Sequence, residues 1–185
     1  MKSALVLLLV FSSNLFAEEM LIPTQKFQIS ASNVEEKIEL AIKYPESTLK
    51  RFQPAGAKIT NKRVSNNNIS FNATKSVLMI SKTVHVNGIL NTEQNNRLCQ
   101  KNESGYKLTL ELDGSDMLIT DNIDRMEANL CVSSVSKSMA DIRVSSKVIL
   151  GNNYSSAMGS IAADMIKLQI NPLINALTEE IKAMK

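Results

Sequence analysis

Apolar and polar side chains alternate along most of residues 57–150, and this period of two predicts β-strands. The alternation is clearest from Tyr106 to Asp113, where every second residue is apolar. Strands of this kind have one apolar and one solvated face, which is typical of an antiparallel sheet. Turn residues, among them the Asn87-Gly88 pair, separate the strand-like segments. These segments are 57–65, 68–74, 76–87, 97–101, 105–113, 117–120, 123–135 and 139–150.

The residues before this region have the spacing of one strand followed by two helices. Phe27 and Ile29 alternate with polar residues and predict a first strand. Asn33 then begins a helix, and its side chain is expected to cap the first turn, with Glu36 completing a capping box. A second short helix begins at Pro45 and stops at a Pro-Ala-Gly sequence. The apolar stripe of the first helix is Val34, Ile38, Ala41 and Ile42.

The end of the chain has helical spacing over roughly 30 residues, beginning at Asn153. Pro172 interrupts this stretch and is expected to kink the helix or to restart it. No other predicted element is long enough to cover the apolar face of the sheet, so we expect this helix to lie across it. The predicted fold class is therefore α+β: a curved antiparallel sheet gripping a long C-terminal helix, with two short helices after the first strand.

Residues 1–17 have the three parts of a secretory signal peptide: Lys2 near the start, the apolar run Ala4–Phe11, and the small residue Ala17 at the end. The apolar run is shorter than the roughly 20 residues that span a bilayer. We therefore expect cleavage after Ala17. Residues 18–185 are then a single domain, exported to the periplasm or the cell exterior and soluble after cleavage.

Cys99 and Cys131 are the only two cysteines of the chain. A lone pair of cysteines in an oxidising compartment usually forms a disulfide, and both lie in strand-like segments. We therefore expect a bridge between them, which would stabilise the fold by about 3–4 kcal/mol if loop entropy governs. The alternation places Cys131 on the solvated face of its strand, so the bridge is expected on the outside of the sheet.

This order of elements resembles the START-like superfamily, also called the helix-grip or SRPBCC proteins, which includes polyketide-cyclase-like members. The resemblance extends over residues 25–184, and its most telling piece runs from Val34 to Ala57. It implies an apolar cavity between the sheet and the long helix that holds a lipid or another hydrophobic molecule. The local sequence features are a first helix followed by Tyr44-Pro45-Glu46, Leu49, Phe52 and Pro54-Ala55-Gly56-Ala57.

The side chains expected to line this cavity face inward from the sheet and from one side of the long helix. Methionines suit an adaptable pocket because the thioether chain is flexible, although they also fill ordinary cores. Ala157, Gly159 and Ala162 on the helix leave room beneath it. These features favour a cavity over a solid core. The predicted lining is Leu108, Leu110, Met126, Leu130, Ile142, Val144, Met158, Ile161 and Met165.

Composition narrows the possible chemistry. A net charge of +3 and an aromatic content of 4% predict no nucleic-acid partner. The single histidine, His85, has no neighbouring ligand residues, and the aspartates at 113–124 do not match a calcium loop, so neither a metal nor a cofactor is predicted. A small basic group suits transient contact with an anionic membrane surface, or is simply a solvated face. It consists of Lys58, Lys62 and Arg63, with Lys50 and Arg51 nearby.

The leading hypothesis is an exported binding protein for a lipid or another hydrophobic small molecule held between the sheet and the C-terminal helix. The alternative is a cell-envelope protein–protein interaction module whose core is filled and which holds no ligand. An enzyme of the cyclase or hydrolase type is a third hypothesis. It needs titratable groups inside the cavity, where the alternation places mostly aliphatic side chains.

Overall fold

The computed structural model describes residues 19–77, 80–112, 123–151 and 156–184, and within these ranges all side chains except those at 75–77, 80, 82 and 156–168. The predicted signal peptide and the predicted strand at 117–120 lie outside the described residues.

The elements are β1 (Glu19–Ser30), α1 (Val34–Lys43), α2 (Glu46–Arg51), β2 (Lys58–Ser65), β3 (Asn68–Val77), β4 (Ile80–Gln94), a 3₁₀ helix (Asn96–Leu98), β5 (Ser104–Glu111), β6 (Ile123–Ser136), β7 (Met139–Leu150) and α3 (Ser156–Ala183).

The described strands form one antiparallel sheet in the order β1-β7-β6-β5-β4-β3-β2. From β2 to β7, each strand pairs with the next strand along the chain. β1 instead pairs with β7, at the opposite edge of the sheet from β2. The chain therefore crosses from one edge to the other through α1 and α2, and the curved sheet encloses α3 as the predicted α+β class requires.

The strand register separates the side chains onto two faces of different chemistry. On one face, Leu110 of β5 lies opposite Leu90 of β4 and Met126 of β6. On the other face, Glu127 of β6 lies opposite Lys147 of β7. We call the first side, which packs against the helices, the concave face and the second side the convex face. The predicted alternation of apolar and polar positions in β5, β6 and β7 is confirmed.

The concave face is buried against α1 and the C-terminal part of α3. Ile38 of α1, Ile142 of β7 and Ile181 of α3 are each at most 1% exposed. Burying a side chain of this size contributes about 1.5–3 kcal/mol. The described core cluster consists of Ile22, Ile29, Val34, Ile38, Ala41, Ile42, Tyr106, Leu108, Leu130, Val132, Ala140, Ile142, Val144, Val148, Leu150, Ile170, Ile174, Leu177 and Ile181.

α3 runs through Pro172 as a single helix, so the chain does not restart a helix at this proline. Pro172 has no N–H to donate to the carbonyl four residues earlier, which normally weakens a helix. Ile170 and Ile174, on either side of the proline, are both buried in the core. Their packing against the sheet offsets the lost hydrogen bond.

The predicted capping box at Asn33 is wrong, although α1 begins where the sequence predicted. Asn33 has a left-handed backbone with φ of 49°, and its side chain makes no capping hydrogen bond. The Val34 N–H donates instead to the carbonyl oxygen of Lys137, in the turn between β6 and β7. A tertiary contact therefore satisfies one of the N–H groups that the first turn of a helix leaves without an intrahelical partner.

The predicted turn at Asn87-Gly88 is also wrong, because β4 continues through both residues to Gln94. Gly88 faces the core and lies close to Leu110. A Cβ atom at Gly88 would be 2.9 Å from Leu110 Cδ1. The glycine thus permits close packing on the concave face rather than a change of direction.

The predicted strand at 97–101 is instead a 3₁₀ helix and a loop, and Cys99 in this loop is disulfide-bonded to Cys131 of β6. Cys131 lies on the convex face, as the alternation predicted, but it is only 4% exposed. The segment that carries Cys99 covers it. Gly105, directly opposite Cys131 in β5, leaves room for this segment because a Cβ atom there would be 2.1 Å from the carbonyl oxygen of Asn95.

We expect Gly105→Ala to destabilise the protein by about 2–3 kcal/mol, since the added methyl group meets backbone that the disulfide holds in place. Thermal unfolding followed by circular dichroism measures the loss. Ser104→Ala, at the neighbouring position of the same strand, is the control and should change stability little. A Gly105→Ala protein that melts with the unsubstituted protein would contradict this account of the glycine.

Candidate functional site

The helices close over the concave face and leave a small apolar pocket between themselves and strands β4 to β7. Its volume is about 30 Å³. Among the described residues, the lining contains two hydroxyl side chains and no charged side chain. The lining residues are Ala41, Ile42, Pro45, Thr48, Leu49, Leu90, Thr92, Leu108, Leu130, Val144, Leu173, Ile174 and Leu177.

Polar contacts fix α2 and the loop after it against α3. The Arg51 Nε donates to Glu180 Oε2 at 2.8 Å. Gln169 binds both backbone groups of Ala55: its Oε1 accepts from the amide nitrogen at 2.8 Å, and its Nε2 donates to the carbonyl oxygen at 3.2 Å. Hydrogen bonds to Glu180 and Gln169 of α3 therefore hold α2 and the loop after it in place beside the pocket.

Two lysines bind the ends of helices. The Lys62 ammonium of β2 donates to the carbonyl oxygens of Lys50 and Phe52 at the end of α2. Burial lowers the pKa of Lys62. The Lys37 ammonium of α1 donates at 2.6 Å to the carbonyl oxygen of Met184, just after α3. Cations suit these positions because the last carbonyl groups of a helix carry partial negative charge.

Thr48 is the unusual member of the pocket lining. It lies in α2 and is 5% exposed. Its Oγ1 atom is buried and has no hydrogen-bond partner among the described residues. Because buried polar atoms are nearly always paired, an unpaired hydroxyl beside a pocket points to an interaction with something that enters the pocket.

We expect Thr48→Val to raise the stability of the ligand-free protein by about 1 kcal/mol, because it replaces the unpaired hydroxyl with a methyl group of similar size. In a chain of this length, that gain corresponds to a melting temperature about 2–4 °C higher. Thr83→Val is the control, since Thr83 is exposed and its hydroxyl lies 2.7 Å from that of Thr74. A lower melting temperature for Thr48→Val would show that the hydroxyl is paired in the folded protein.

The residues predicted to line a cavity fall into three groups. Leu108, Leu130 and Val144 line the pocket. Ile142 is buried in the core cluster but does not line the pocket, and Leu110 and Met126 lie on the concave face and are half-buried. The remaining three are Met158, Ile161 and Met165, whose side chains lie outside the described part of the chain.

Sequence reasoning did not assign the helical walls of the pocket. Ala41 and Ile42 belong to the predicted apolar stripe of α1, and Leu173 and Leu177 lie in the predicted C-terminal helix. The sequence contains no signal that separates a core position from a pocket position. Thr48 carries no sequence signal at all, because a threonine in a short helix is usually exposed.

The convex face carries a second, polar groove of about 390 Å³. At its edge lies Glu127, which is 7% exposed and faces three cations. Its carboxylate oxygens are 3.1 Å from Arg125 Nε, 3.5 Å from Lys107 Nζ and 3.5 Å from Lys147 Nζ. The groove residues are Asn91, Thr92, Glu93, Lys107, Thr109, Glu111, Arg125 and Glu127. With both signs of charge interspersed, the groove favours no single class of charged ligand.

Burial by itself would raise the pKa of Glu127, but the hydrogen bond from Arg125 and the charges of Lys147 and Lys107 outweigh it and hold the pKa below 4.5. A carboxylate with a lowered pKa stabilises the fold above its ordinary pKa, and this stabilisation is lost as the pH falls through the lowered value.

We therefore expect Glu127→Gln to cost about 1–2 kcal/mol at pH 7 and to reduce the loss of stability below pH 4.5. Urea unfolding at several pH values between 7 and 3 measures both effects. Glu111→Gln, an exposed position on the same face, is the control. Equal pH profiles for Glu127→Gln and the unsubstituted protein would contradict a stabilising role for this carboxylate.

Most cations of the predicted basic group form ion pairs or hydrogen bonds with other parts of the protein. Lys50 pairs with Glu46 at 2.6 Å, and Arg51 and Lys62 make the contacts described above. These contacts weaken the case for a cationic patch that recognises anionic membranes. Within the described ranges, the helices do not combine the length and apolar content that crossing a bilayer requires.

The remaining candidate residues are His85 and the aspartates at 113–124, and those that the structure describes are exposed. His85 is exposed on β4, and its Nδ1 lies 3.0 Å from Asn72 Oδ1 on the neighbouring strand. Asp113, Asp116 and Asp121 lie outside the described residues, while Asp124 pairs with Arg125 at 2.9 Å. The described part of this acidic segment is thus engaged in an ion pair.

Several solved structures have a similar fold at low sequence identity. A START superfamily protein from Mycobacterium smegmatis matches with a TM-score of 0.47 and 9% identity, over 89% of this chain and 99% of that one. Ara h 8.0201 matches with a TM-score of 0.45 and 8% identity, over 89% and 98% of the two chains. A truncated norcoclaurine synthase from Thalictrum flavum matches with a TM-score of 0.43 and 12% identity, over 91% and 96%.

No protein-family model and no curated protein sequence matches the chain. The order of elements on which the predicted resemblance to the START-like superfamily rests is confirmed by the structure of the chain itself. The chain itself carries the features of that fold: one strand, two short helices, a meander of strands and a long final helix on the concave face.

Proposed function

We propose that this protein is an exported binding protein that holds a lipid or another hydrophobic small molecule between the concave face and α3. One observation supports the proposal most directly. Apolar side chains continue on the concave face beyond the residues that are completely buried. Leu130 and Val144 are at most 3% exposed, whereas Leu110 and Met126, further along β5 and β6, are only half-buried.

The chemistry of the pocket suits a ligand that binds by burial. The part of its lining that the structure describes offers no charged group and no titratable side chain. An apolar ligand would gain about 0.8 kcal/mol for each methylene group removed from water, so a lipid chain needs few polar contacts to bind tightly. The same lining favours binding over acid–base catalysis, which requires titratable groups close to the reacting atoms.

The small volume of the described pocket favours the alternative function, an interaction module with a filled core. A space of about 30 Å³ admits one or two water-sized groups. An apolar chain must therefore lie elsewhere on the concave face, and we place it beside Leu110 and Met126. The two functions differ in whether this region takes up an apolar molecule.

Titration of the disulfide-bonded protein with diphenylhexatriene, a hydrocarbon whose fluorescence rises in apolar surroundings, tests the proposal. We expect saturable binding, and we expect Leu110→Gln to weaken it by about tenfold, because an amide on the concave face opposes an apolar ligand. Leu98→Gln is the matched control: Leu98 is 63% exposed on the 3₁₀ helix and should leave binding unchanged.

Mass spectrometry of a solvent extract of the same protein provides an independent readout, because a co-purified lipid would be released by the solvent. Absence of saturable diphenylhexatriene binding together with an empty extract would overturn the proposal in favour of the filled-core interaction module. Equal weakening by Leu110→Gln and Leu98→Gln would show that the dye binds outside the concave face.

A further inference from the structure

The unpaired hydroxyl of Thr48 identifies the chemistry of one end of the ligand. We propose that the pocket beside Thr48 receives an uncharged hydroxyl group at the end of an otherwise apolar molecule. This inference rests on the proposed binding function. The molecule is thus of the fatty-alcohol type rather than an ionised fatty acid.

The first argument is the missing partner of Thr48. Its Oγ1 is buried and unpaired among the described residues, so both its donor and its acceptor capacity are unused. The side chain is 5% exposed and lies in the pocket lining. A ligand hydroxyl serves either need, since it donates one hydrogen bond and accepts others.

The second argument is size. The pocket volume of about 30 Å³ is enough for one or two water-sized groups and too small for a hydrocarbon chain. A single hydroxyl with its first carbon fits this space. The pocket is also next to the region proposed for the chain, because Leu90 in its lining lies directly opposite Leu110 in the sheet.

The third argument is charge. The described lining holds no lysine, arginine or histidine to balance a carboxylate. Two cations of the neighbouring elements already have partners: Lys62 is bound to the end of α2, and Arg51 is paired with Glu180. An ionised carboxyl group in this pocket would be buried without a counter-charge, which strongly disfavours it.

The test compares 1-decanol, decanoate and diphenylhexatriene on the disulfide-bonded protein at pH 7.5. Each aliphatic compound displaces the dye, which reports its affinity. For Thr48→Val, we expect the affinity for 1-decanol to fall by about three- to tenfold, the equivalent of one hydrogen bond. The affinity for diphenylhexatriene should stay unchanged, because this hydrocarbon has no oxygen. Thr48→Ser, which keeps the hydroxyl, should retain most of the 1-decanol affinity.

Thr83→Val repeats the substitution on the convex face and should leave the affinities for both the dye and 1-decanol unchanged. The proposal is overturned if Thr48→Val leaves 1-decanol binding unchanged, the result expected if only water occupies the pocket. Decanoate binding as tightly as 1-decanol would overturn it as well. In both cases normal binding of diphenylhexatriene would leave the proposed function standing. If the unsubstituted protein binds neither the dye nor 1-decanol and its solvent extract is empty, both proposals are overturned.

Discussion

Ile142 of β7 and Ile181 of α3 belong to one buried cluster, although a strand end, a connection and most of a helix separate them in the chain. Burial of the concave face against this final helix is the constraint on which the rest of the structure depends. An antiparallel sheet with one apolar face is unstable in water until something covers that face. Because α3 follows all seven described strands in the sequence, the concave face remains exposed until α3 has been synthesised.

The candidate site is a consequence of the same interface. α3 covers the sheet closely where Ile174 and Leu177 pack, and the sheet's apolar surface extends beyond that contact. Tight packing contributes stability, whereas a ligand needs space, so the two demands compete for one surface. The unpaired hydroxyl of Thr48 is one example. Its burial lowers the stability of the empty protein, and under the proposed function it gains a hydrogen-bond partner when a polar group enters the pocket.

The convex face has a separate, structural role. The Cys99–Cys131 disulfide fastens the segment between β4 and β5 to the outside of the sheet, and Gly105 provides the space for it. Glu127 links charged side chains of three neighbouring positions on β5, β6 and β7. These contacts hold the strands together from the side that α3 does not cover. On the concave face, the described pocket lining holds no charged group.

The sequence by itself determined the elements whose hydrophobic period is strong: α1, the three strands β5, β6 and β7, and the long helix that follows them. It also determined the identity of the two bridged cysteines, because no other pairing exists. Only the tertiary structure decided the features that depend on distant contacts. The start of α1 is set by a carbonyl of the β6–β7 turn rather than by Asn33, Gly88 packs under Leu110 instead of forming a turn, and Thr48 is buried because α3 lies over it. Local spacing records which side chains share a face, but it carries no information on which faces meet, and the pocket exists only where two faces meet.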